Sequence, residues 1–377
     1  MAEITPIPLK ELTTLRVGGA PARMIDAESR DELIAVLRSV WATGEEWFVL
    51  GGGSNLFVGD DEFDGTVVRV RTAGIEQLPA SPGRVRLRVQ AGHNWDDLVA
   101  YTVAHGLSGI EAMSGIPGTV GAAPVQNVGA YGQEIISSLV EVELIDERGG
   151  DVSVVPAAEL GLGFRTSVLK QHYGSVPERS AVILSVTLEL LETGDEARPV
   201  AGAQLRQALG LAVGELATLQ QIRDRVLEIR ASKGMVLDDA DPDTYSAGSF
   251  FQNVIVSAAI ARTLPAECPR WPVHPDVDAV TVIPIEDYDG TLPMPSGASS
   301  DVKISAGWLI EHSGLRKGFR IPRSRAGLST KHALALTNRG SANAAEIAEL
   351  ARFIQSRVHA EFGIPLQPEP VLVGVEL

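Results

Sequence analysis

The stretch MSGIPGTVGAAPVQNVGAYG, residues 113–132, constrains the fold of this chain more than any other segment. It holds five glycines in twenty residues and no charged side chain. Glycine in regular structure costs about 0.5–1 kcal/mol relative to alanine, so such a cluster needs a reason. One reason is a winding loop; the other is a flat ligand that lies against the backbone, which only small residues permit. Of these two explanations for the glycines, we favour the flat ligand over the winding loop.

The composition indicates an acidic globular protein of two or three domains. The chain has 377 residues, of which 45% are hydrophobic and 21% charged, and its net charge is −16. Nucleic-acid binding needs clustered lysine and arginine against the phosphates, so this balance argues against it. The single cysteine, Cys268, excludes an intrachain disulfide and a cysteine-based metal cluster. We expect no metal site.

The chain also lacks the signals of export or membrane insertion. The first residues, MAEITPIPLKELTT, have no basic region followed by an apolar one, as a signal peptide has. No window approaches eighteen uninterrupted apolar residues. We expect a cytoplasmic protein without a membrane segment.

Hydrophobic periodicity predicts helices that alternate with strands, which favours an α+β or α/β fold. Helical spacing marks 31–40, 96–104, 215–230, 306–312 and the segment from Ser341 to a stop at Gly363. Strand patterns mark 47–50, 66–70, 85–91, 139–146, 152–155 and 181–191. The pair Gly149-Gly150 predicts a hairpin turn. Residues 264–300, rich in Pro, Asp and Gly, predict a long irregular segment.

A second glycine cluster, Gly51–Asn55 (GGGSN), follows the predicted strand 47–50. A strand that ends in a glycine loop presents main-chain N–H groups to phosphate oxygens. The loop lacks the GK[ST] ending of a Walker loop and does not read GxGxxG. By itself it is as consistent with a plain turn as with a phosphate site.

Nine segments in order resemble the family of UDP-N-acetylenolpyruvoylglucosamine reductases, in the form with the longer substrate loop. They are TLRVGGA (14–20), VLGGGSNLFV (49–58), AGHNW (91–95), GIPGTVGAAPVQNVGAYG (115–132), GFRTSVLK (163–170), AGSFFQN (247–253), AGWLIEHSGLRKG (306–318), STKHALALTNRG (329–340) and LQPEPVLVG (366–374). None is distinctive alone, but nine in order over nearly the whole chain are specific.

The resemblance implies an α+β chain with a PCMH-type FAD-binding fold of two subdomains and a C-terminal α+β substrate-binding domain. The implied first subdomain is 1–70, completed by 363–377; the second is 71–218, and the substrate domain is 219–362. The resemblance also implies non-covalent FAD, NADPH as co-substrate, and a monomer that acts on a nucleotide sugar.

The implied activity is the reduction of UDP-N-acetylglucosamine enolpyruvate to UDP-N-acetylmuramate, for peptidoglycan synthesis and hence cell wall, cell shape and division. Hydride passes from NADPH through flavin N5 to substrate C3, and the negative charge left at C2 must be stabilised and protonated. Arg165 matches the family's counter-ion, Ser249 its proton donor, and Glu369 its acidic partner, which needs a raised pKa. Without the resemblance, these three would be a surface ion pair, a turn serine and a solvated glutamate.

The resemblance also implies two sets of ligand contacts. Lys233 and Asn253 match positions that face the UDP-sugar diphosphate. The implied FAD contacts are Arg16, Gly51, Gly52, Gly53, Ser54, Asn55, Ser114, Gly115, Ile116, Pro117, Gly118, Gly121, Ala122, Asn127, Gly129, Ala130 and Tyr131.

Two departures from the family pattern affect the predicted grip on the substrate. Gly202 stands where many members have a tyrosine over the UDP-sugar, and Val254 replaces a proline. Such an aromatic cover is worth about 1–3 kcal/mol; Tyr173 or Tyr245 are candidates to replace it. Two alternatives remain open: a PCMH-type flavin oxidase, and a non-catalytic paralogue that binds nucleotide.

Overall fold

The computed structural model describes residues 2–170, 178–273 and 301–377. Its strands, in chain order, are β1 (Ala2–Ile4), β2 (Pro21–Ala27), β3 (Glu46–Leu50), β4 (Leu56–Val58), β5 (Phe63–Val70), β6 (Ile75–Leu78), β7 (Arg84–Gln90), β8 (Leu107–Ser108), β9 (Gly129–Ala130), β10 (Gln133–Glu134), β11 (Leu139–Asp146), β12 (Val152–Pro156), β13 (Ala181–Glu192), β14 (Arg198–Pro199), β15 (Leu216–Ala217), β16 (Val254–Ser257), β17 (Arg270–Pro272), β18 (Asp301–Ile304), β19 (Ala326–Leu328), β20 (Leu336–Asn338) and β21 (Val371–Val373). The α-helices are α1 (Arg30–Thr43), α2 (Trp95–Ala104), α3 (Ala203–Leu209), α4 (Leu219–Ser232), α5 (Ala258–Thr263), α6 (Ala306–His312) and α7 (Ala344–Phe362). Short 3-10 helices span Leu9–Glu11, Glu111–Met113, Val120–Ala122, Pro124–Gln126, Ile135–Ser137, Ala157–Leu160 and Pro242–Thr244.

The N-terminal sheet has the strand order β1-β2-β5-β3, and β2 and β3 both run parallel to β5. Helix α1 packs on β2 and β5 through Leu33 and Leu37, which are fully buried. The helix begins where the Ser29 side chain accepts a hydrogen bond from the Glu32 amide, and it ends at Gly44, which has φ 71°. The predicted helix over 31–40 is confirmed.

The second sheet is antiparallel, with the order β12-β11-β13-β7-β6 and with β8 paired to the end of β13. Most side chains of β13 are buried, on both faces of the strand, and they share one core with Leu33 of α1 and Leu98 of α2. The predicted hairpin between β11 and β12 is confirmed. Gly149 and Gly150 take φ values of 99° and 68° in its turn, which other residues rarely adopt.

The third part of the chain combines the small sheet β16-β18-β17, the hairpin β19-β20 and helices α5, α6 and α7. Helix α7 ends at Gly363, as predicted, and begins at Ala344, three residues after Ser341, where Asn343 and Glu346 form a capping box. Its buried face shares one core with Leu15 and Phe57 from the N-terminal part of the chain. Sheets with helices beside them make the fold α+β, which confirms the predicted class.

The last strand lies far from its neighbours in sequence. Strand β21 pairs in parallel with β4, with Val371 opposite Leu56. This pairing supports the expected completion of the first subdomain by 363–377, while the boundaries 1–70, 71–218 and 219–362 stay predictions.

Two sequence expectations differ from the structure in detail. The helix predicted over 215–230 begins at Leu219, because Thr218 and Gln221 form a capping box there and β15 pairs with β14 just before it. In the segment predicted as irregular, β17 pairs with β18, a long-range contact that local patterns do not reveal. Residues 274–300 of that segment lie outside the described residues. Among the described helices, none is long and apolar enough to cross a membrane.

Candidate active site

A cavity of about 650 Å³ is lined by residues from all three parts of the fold. Its size lies within the range of small-molecule and cofactor sites. The walls bring together the loop Gly51–Asn55, residues of the 116–131 segment, Arg165, Ser249 and Glu369. The predicted catalytic residues therefore meet in the same cavity as the two glycine clusters.

The loop Gly51–Asn55 follows β3 and lies directly against the 116–131 segment. A Cβ at Gly52 would stand 2.6 Å from the Gly118 Cα, so only glycine permits this approach. The Ser54 hydroxyl donates to the Pro117 carbonyl over 2.8 Å and joins the two segments. In the described part of the chain, the amides of Gly51, Gly52 and Ser54 donate no hydrogen bond to the protein. Unused main-chain donors in a cavity wall fit the pyrophosphate of FAD.

The 116–131 segment forms the adjoining wall with backbone and small side chains. Short 3-10 helices at Val120–Ala122 and Pro124–Gln126 replace the simple loop that a glycine cluster also allows. Gly121 packs against Ala91, where a Cβ would stand 2.6 Å from the Ala91 Cβ. The members of the segment that line the cavity and were predicted to contact FAD are Ile116, Pro117, Gly118, Gly121, Ala122, Gly129, Ala130 and Tyr131.

Arg165 is held at the cavity wall by main-chain carbonyls. Its Nη1 donates to the Asn127 carbonyl over 3.1 Å and its Nη2 to the Gly129 carbonyl over 3.0 Å. Its Nε lies 3.4 Å from Glu369 Oε1, and Arg165 has an unusual φ of 55° for a non-glycine residue. The contacts fix the guanidinium beside the cavity.

Glu369 presents a largely buried carboxyl, whose side chain is 14% exposed, to the same cavity. Burial raises the pKa of this carboxyl, and the positive charges of Arg165 and Lys170 oppose the rise. Its amide donates to the Phe250 carbonyl over 2.8 Å. Phe250 follows Ser249, which also lines the cavity, so this hydrogen bond ties the main chain of the predicted acidic partner to the loop that carries the predicted proton donor.

Positive charge gathers at another part of the cavity wall. Lys233, at the end of α4, lies with its Nζ 5.7 Å from the Tyr131 ring centroid, and Arg230 lines the wall one turn earlier. His332 Nδ1 accepts a hydrogen bond from the Leu334 amide over 3.1 Å, which places its proton on Nε2. Burial and the nearby cations lower the pKa of His332 to about 4, so the ring is neutral at pH 7.

Five predicted contact residues do not line this cavity: Arg16, Ser114, Gly115, Asn127 and Asn253. The Ser114 hydroxyl donates to the Glu111 carbonyl, and the Asn127 side chain donates to Glu134 and to the Gly163 carbonyl. Both side chains are thus engaged with the protein, and all five predicted ligand contacts stay predictions.

Arg16 and Asn253 make specific contacts of their own. The Arg16 guanidinium pairs with Asp239 and lies 3.6 Å from the centroid of the Tyr245 ring. Asn253 Oδ1 accepts a hydrogen bond from the Ala306 amide over 3.0 Å at the start of α6. Tyr245, a candidate cover for UDP, thus stacks on Arg16, and Tyr173 lies outside the described residues.

Comparison with known proteins agrees with this geometry. Residues 21–154 match the FAD binding domain, and residues 241–373 match the C-terminal domain of UDP-N-acetylenolpyruvoylglucosamine reductase. A protein of that name from Leifsonia xyli subsp. xyli is 51% identical over 382 residues, which cover 99% of each chain. One from Nocardia farcinica is 47% identical over 98% of this chain and 89% of its own.

The chain belongs to the UDP-N-acetylenolpyruvoylglucosamine reductase family. The crystal structure of such a reductase from Thermus caldophilus aligns over 99% of both chains, with a TM-score of 0.60 and 27% identity. The predicted FAD-binding fold is confirmed by the match of residues 21–154.

Several residues of the cavity wall were not predicted: Gln126, Lys170, Arg230 and His332. Lys170 and His332 stand inside GFRTSVLK and STKHALALTNRG, two segments that carried the resemblance to the reductase family. Their position inside these segments was the signal in the sequence that could have marked them as residues of the site. A lysine in sequence is otherwise taken as solvent-exposed, because lysine is rarely buried.

Proposed function

We propose that this chain reduces UDP-N-acetylglucosamine enolpyruvate to UDP-N-acetylmuramate, with NADPH as donor and non-covalent FAD. The observation that carries the proposal is the meeting of Arg165, Ser249 and Glu369 in one cavity with two glycine-rich walls. The product serves peptidoglycan synthesis. FAD, when bound, relays a hydride from NADPH to the substrate.

Two walls of the cavity suit the cofactor. The free amides of the Gly51–Asn55 loop would hold the pyrophosphate, and the flat backbone wall around Gly118 and Gly121 would lie against the ring system. Cys268, the single cysteine, is buried in the core of the third part of the chain. This placement agrees with non-covalent binding.

Arg165 would stabilise the substrate carboxylate. A guanidinium has five N–H groups; two bind the carbonyls of Asn127 and Gly129, and Nε–H lies beside Glu369. The remaining N–H groups can grip a carboxylate that gains charge when hydride reaches C3. The carbonyl contacts keep the guanidinium in place before the charge develops, so no reorganisation is needed.

Glu369 and Ser249 would complete the protonation. The raised pKa of Glu369 lets its carboxyl share a proton with the charged, acid-like form of the substrate. The Ser249 hydroxyl, next to Gly248 with φ 72°, would donate a proton to C2. A serine is a weak acid, so it depends on its position against a strongly basic carbon.

The cationic wall would take the diphosphate of the nucleotide sugar. Lys233 supplies a point charge, Arg230 a second one, and His332 a neutral N–H donor. At Gly202 a Cβ would meet nothing within 4 Å, so the missing tyrosine leaves that side of α3 open. We expect a looser hold on the nucleotide than a tyrosine there would give.

One chain supplies all of these groups, so we propose that it works as a monomer. NADPH and the nucleotide sugar are charged cytoplasmic metabolites, and we place the protein in the cytoplasm with them. Nucleic acid has no role in this reaction.

Anaerobic flavin spectroscopy tests the proposal. NADPH should bleach the bound flavin, and the enolpyruvyl nucleotide should then restore its absorbance. Rapid restoration by oxygen without turnover of the nucleotide would indicate a flavin oxidase instead. A purified protein that is colourless and takes up no FAD would refute the proposal at its base.

A further inference from the structure

Lys170 is a buried lysine that the chemistry above does not use. It is 7% exposed and follows Arg165 in the GFRTSVLK segment. A bridge between Ser167 and Lys170 closes the turn around it. Burying an ammonium costs free energy unless it is paired, so a lysine here needs partners.

The ammonium of Lys170 has two close hydrogen-bond acceptors. Its Nζ donates to the main-chain carbonyl of Glu369 over 2.6 Å and to Gln126 Oε1 over 2.6 Å. Asn55 Nδ2 donates to the same Gln126 oxygen over 2.7 Å and lies 3.5 Å from the Glu369 carbonyl. Lys170, Gln126 and Asn55 thus form a bridge from both glycine clusters to Glu369.

Glu369 has few other main-chain anchors. It stands between Pro368 and Pro370, neither of which has an amide N–H to donate. Its own amide is held by the Phe250 carbonyl, and its carbonyl by Lys170. These bonds, one on each side of the Glu369 Cα, set where its side chain starts, together with the longer contact from Asn55 Nδ2 to the same carbonyl.

The charge of Lys170 also acts on Glu369. Burial lowers the pKa of the Lys170 ammonium to about 8. The positive charge of Arg165 lowers this pKa further, and the negative charge of Glu369 raises it. The group therefore remains mainly protonated at pH 7. Glu369 is flanked by two positive charges, of which only that of Lys170 can be lost near pH 8.

We propose that Lys170 is a positioning residue for Glu369, which it holds by the main-chain carbonyl and by a positive charge beside the carboxyl. The inference rests on the proposed function, because it assigns Lys170 to the step in which the enolpyruvyl nucleotide accepts hydride and proton. The proposed function gives Glu369 no part in reduction of the flavin by NADPH, so we expect that half-reaction not to depend on this contact.

Stopped-flow measurement of the two half-reactions tests the inference on the FAD-loaded protein. Lys170→Met removes the charge and the donor with little change in length, Lys170→Arg keeps the charge, and Lys10→Met is the control at an exposed lysine. We expect Lys170→Met to slow reoxidation by the nucleotide about 10- to 100-fold, as a displaced catalytic group does. Reduction by NADPH should stay within about twofold of the parent.

The pH profile separates positioning from plain stability. The parent's reoxidation rate should fall above about pH 8, because the Lys170 ammonium becomes a neutral amine there and its charge-assisted hydrogen bonds to the Glu369 carbonyl and Gln126 weaken. Lys170→Met should not show this fall in rate above pH 8, and Lys10→Met should match the parent. Lys170→Arg should recover part of the rate and should keep it to higher pH than the parent does.

Two results would overturn the inference. If Lys170→Met kept the parent's reoxidation rate and its fall above pH 8, Lys170 would have no positioning role. Equal slowing of both half-reactions with reduced FAD content would show a structural role alone. A parent protein that the nucleotide does not reoxidise would instead refute the proposed function, and the inference with it.

Discussion

The amide of Glu369 donates a hydrogen bond to the carbonyl of Phe250 over 2.8 Å, which ties the end of the chain to the loop that carries Ser249. The Arg165 guanidinium meets the Glu369 carboxyl from the other side, with 3.4 Å between Nε and Oε1. Three segments far apart in sequence are therefore set against one another by contacts of a few ångströms.

Ser249→Ala should block protonation while leaving the cofactor in place. Loss of a positioned proton donor slows the step it serves about 10²- to 10⁴-fold. We expect that loss in reoxidation of the reduced flavin by the enolpyruvyl nucleotide, with reduction by NADPH unchanged. Ser232→Ala, at an exposed serine of α4, is the matched control. Reoxidation at the parent rate would exclude Ser249 as the proton donor.

Glu369→Gln should distinguish the role of the Glu369 carboxyl from that of its main-chain contacts. The amide has the same shape, so the bonds from Lys170 and to Phe250 remain possible, but no proton can be shared with the substrate. We expect reoxidation by the nucleotide to slow about 10²-fold with normal FAD content. Glu361→Gln in the exposed face of α7 should behave as the parent. A rate unchanged in Glu369→Gln would contradict the proposed role of the carboxyl.

Gly53→Ala should disturb the loop that faces the cofactor. A Cβ there would stand 2.0 Å from the Leu12 carbonyl oxygen, and Gly53 has φ 61°. Gly44→Ala is a close control, because its φ is 71° but nothing lies within 4 Å of the added Cβ. We expect Gly44→Ala to cost about 1 kcal/mol of stability. Gly53→Ala should in addition lower FAD content, measured from the flavin absorbance; equal effects of the two would contradict this.

His332 should make the protein less stable in acid. Its folded pKa is lowered to about 4 from 6.5, so between these values the unfolded state binds more protons than the folded state. Stability linked to His332 is thus complete above pH 6.5 and is lost as the pH falls through 4, by at most about 3 kcal/mol. Denaturant unfolding from pH 7 to 4 should show a shallower loss for His332→Asn, but not for the exposed control His359→Asn. The same slope in parent and His332→Asn would contradict it.

Much of the architecture could be predicted because it is encoded locally. The spacing of Leu33 and Leu37, the helix stop at Gly363 and the turn at Gly149 act over a few residues. The start of α4 was missed by four residues, because the pairing of β14 with β15 competes there with helical periodicity.

The sequence by itself favoured a ligand against the glycine stretch 113–132 and left the Gly51–Asn55 loop open between a turn and a phosphate site. Its ordered segments pointed to a flavin reductase family with three named catalytic positions. Only the tertiary structure decided that Lys170 is buried and which atoms it holds, since nothing local distinguishes a buried lysine from an exposed one. It also decided that the side chain of Asn253 meets the start of α6 and that His332 is neutral. Burial and charge at each of these residues depend on other segments of the chain, such as Gln126 and Glu369 around Lys170 and Ala306 at Asn253, so only the folded chain sets them.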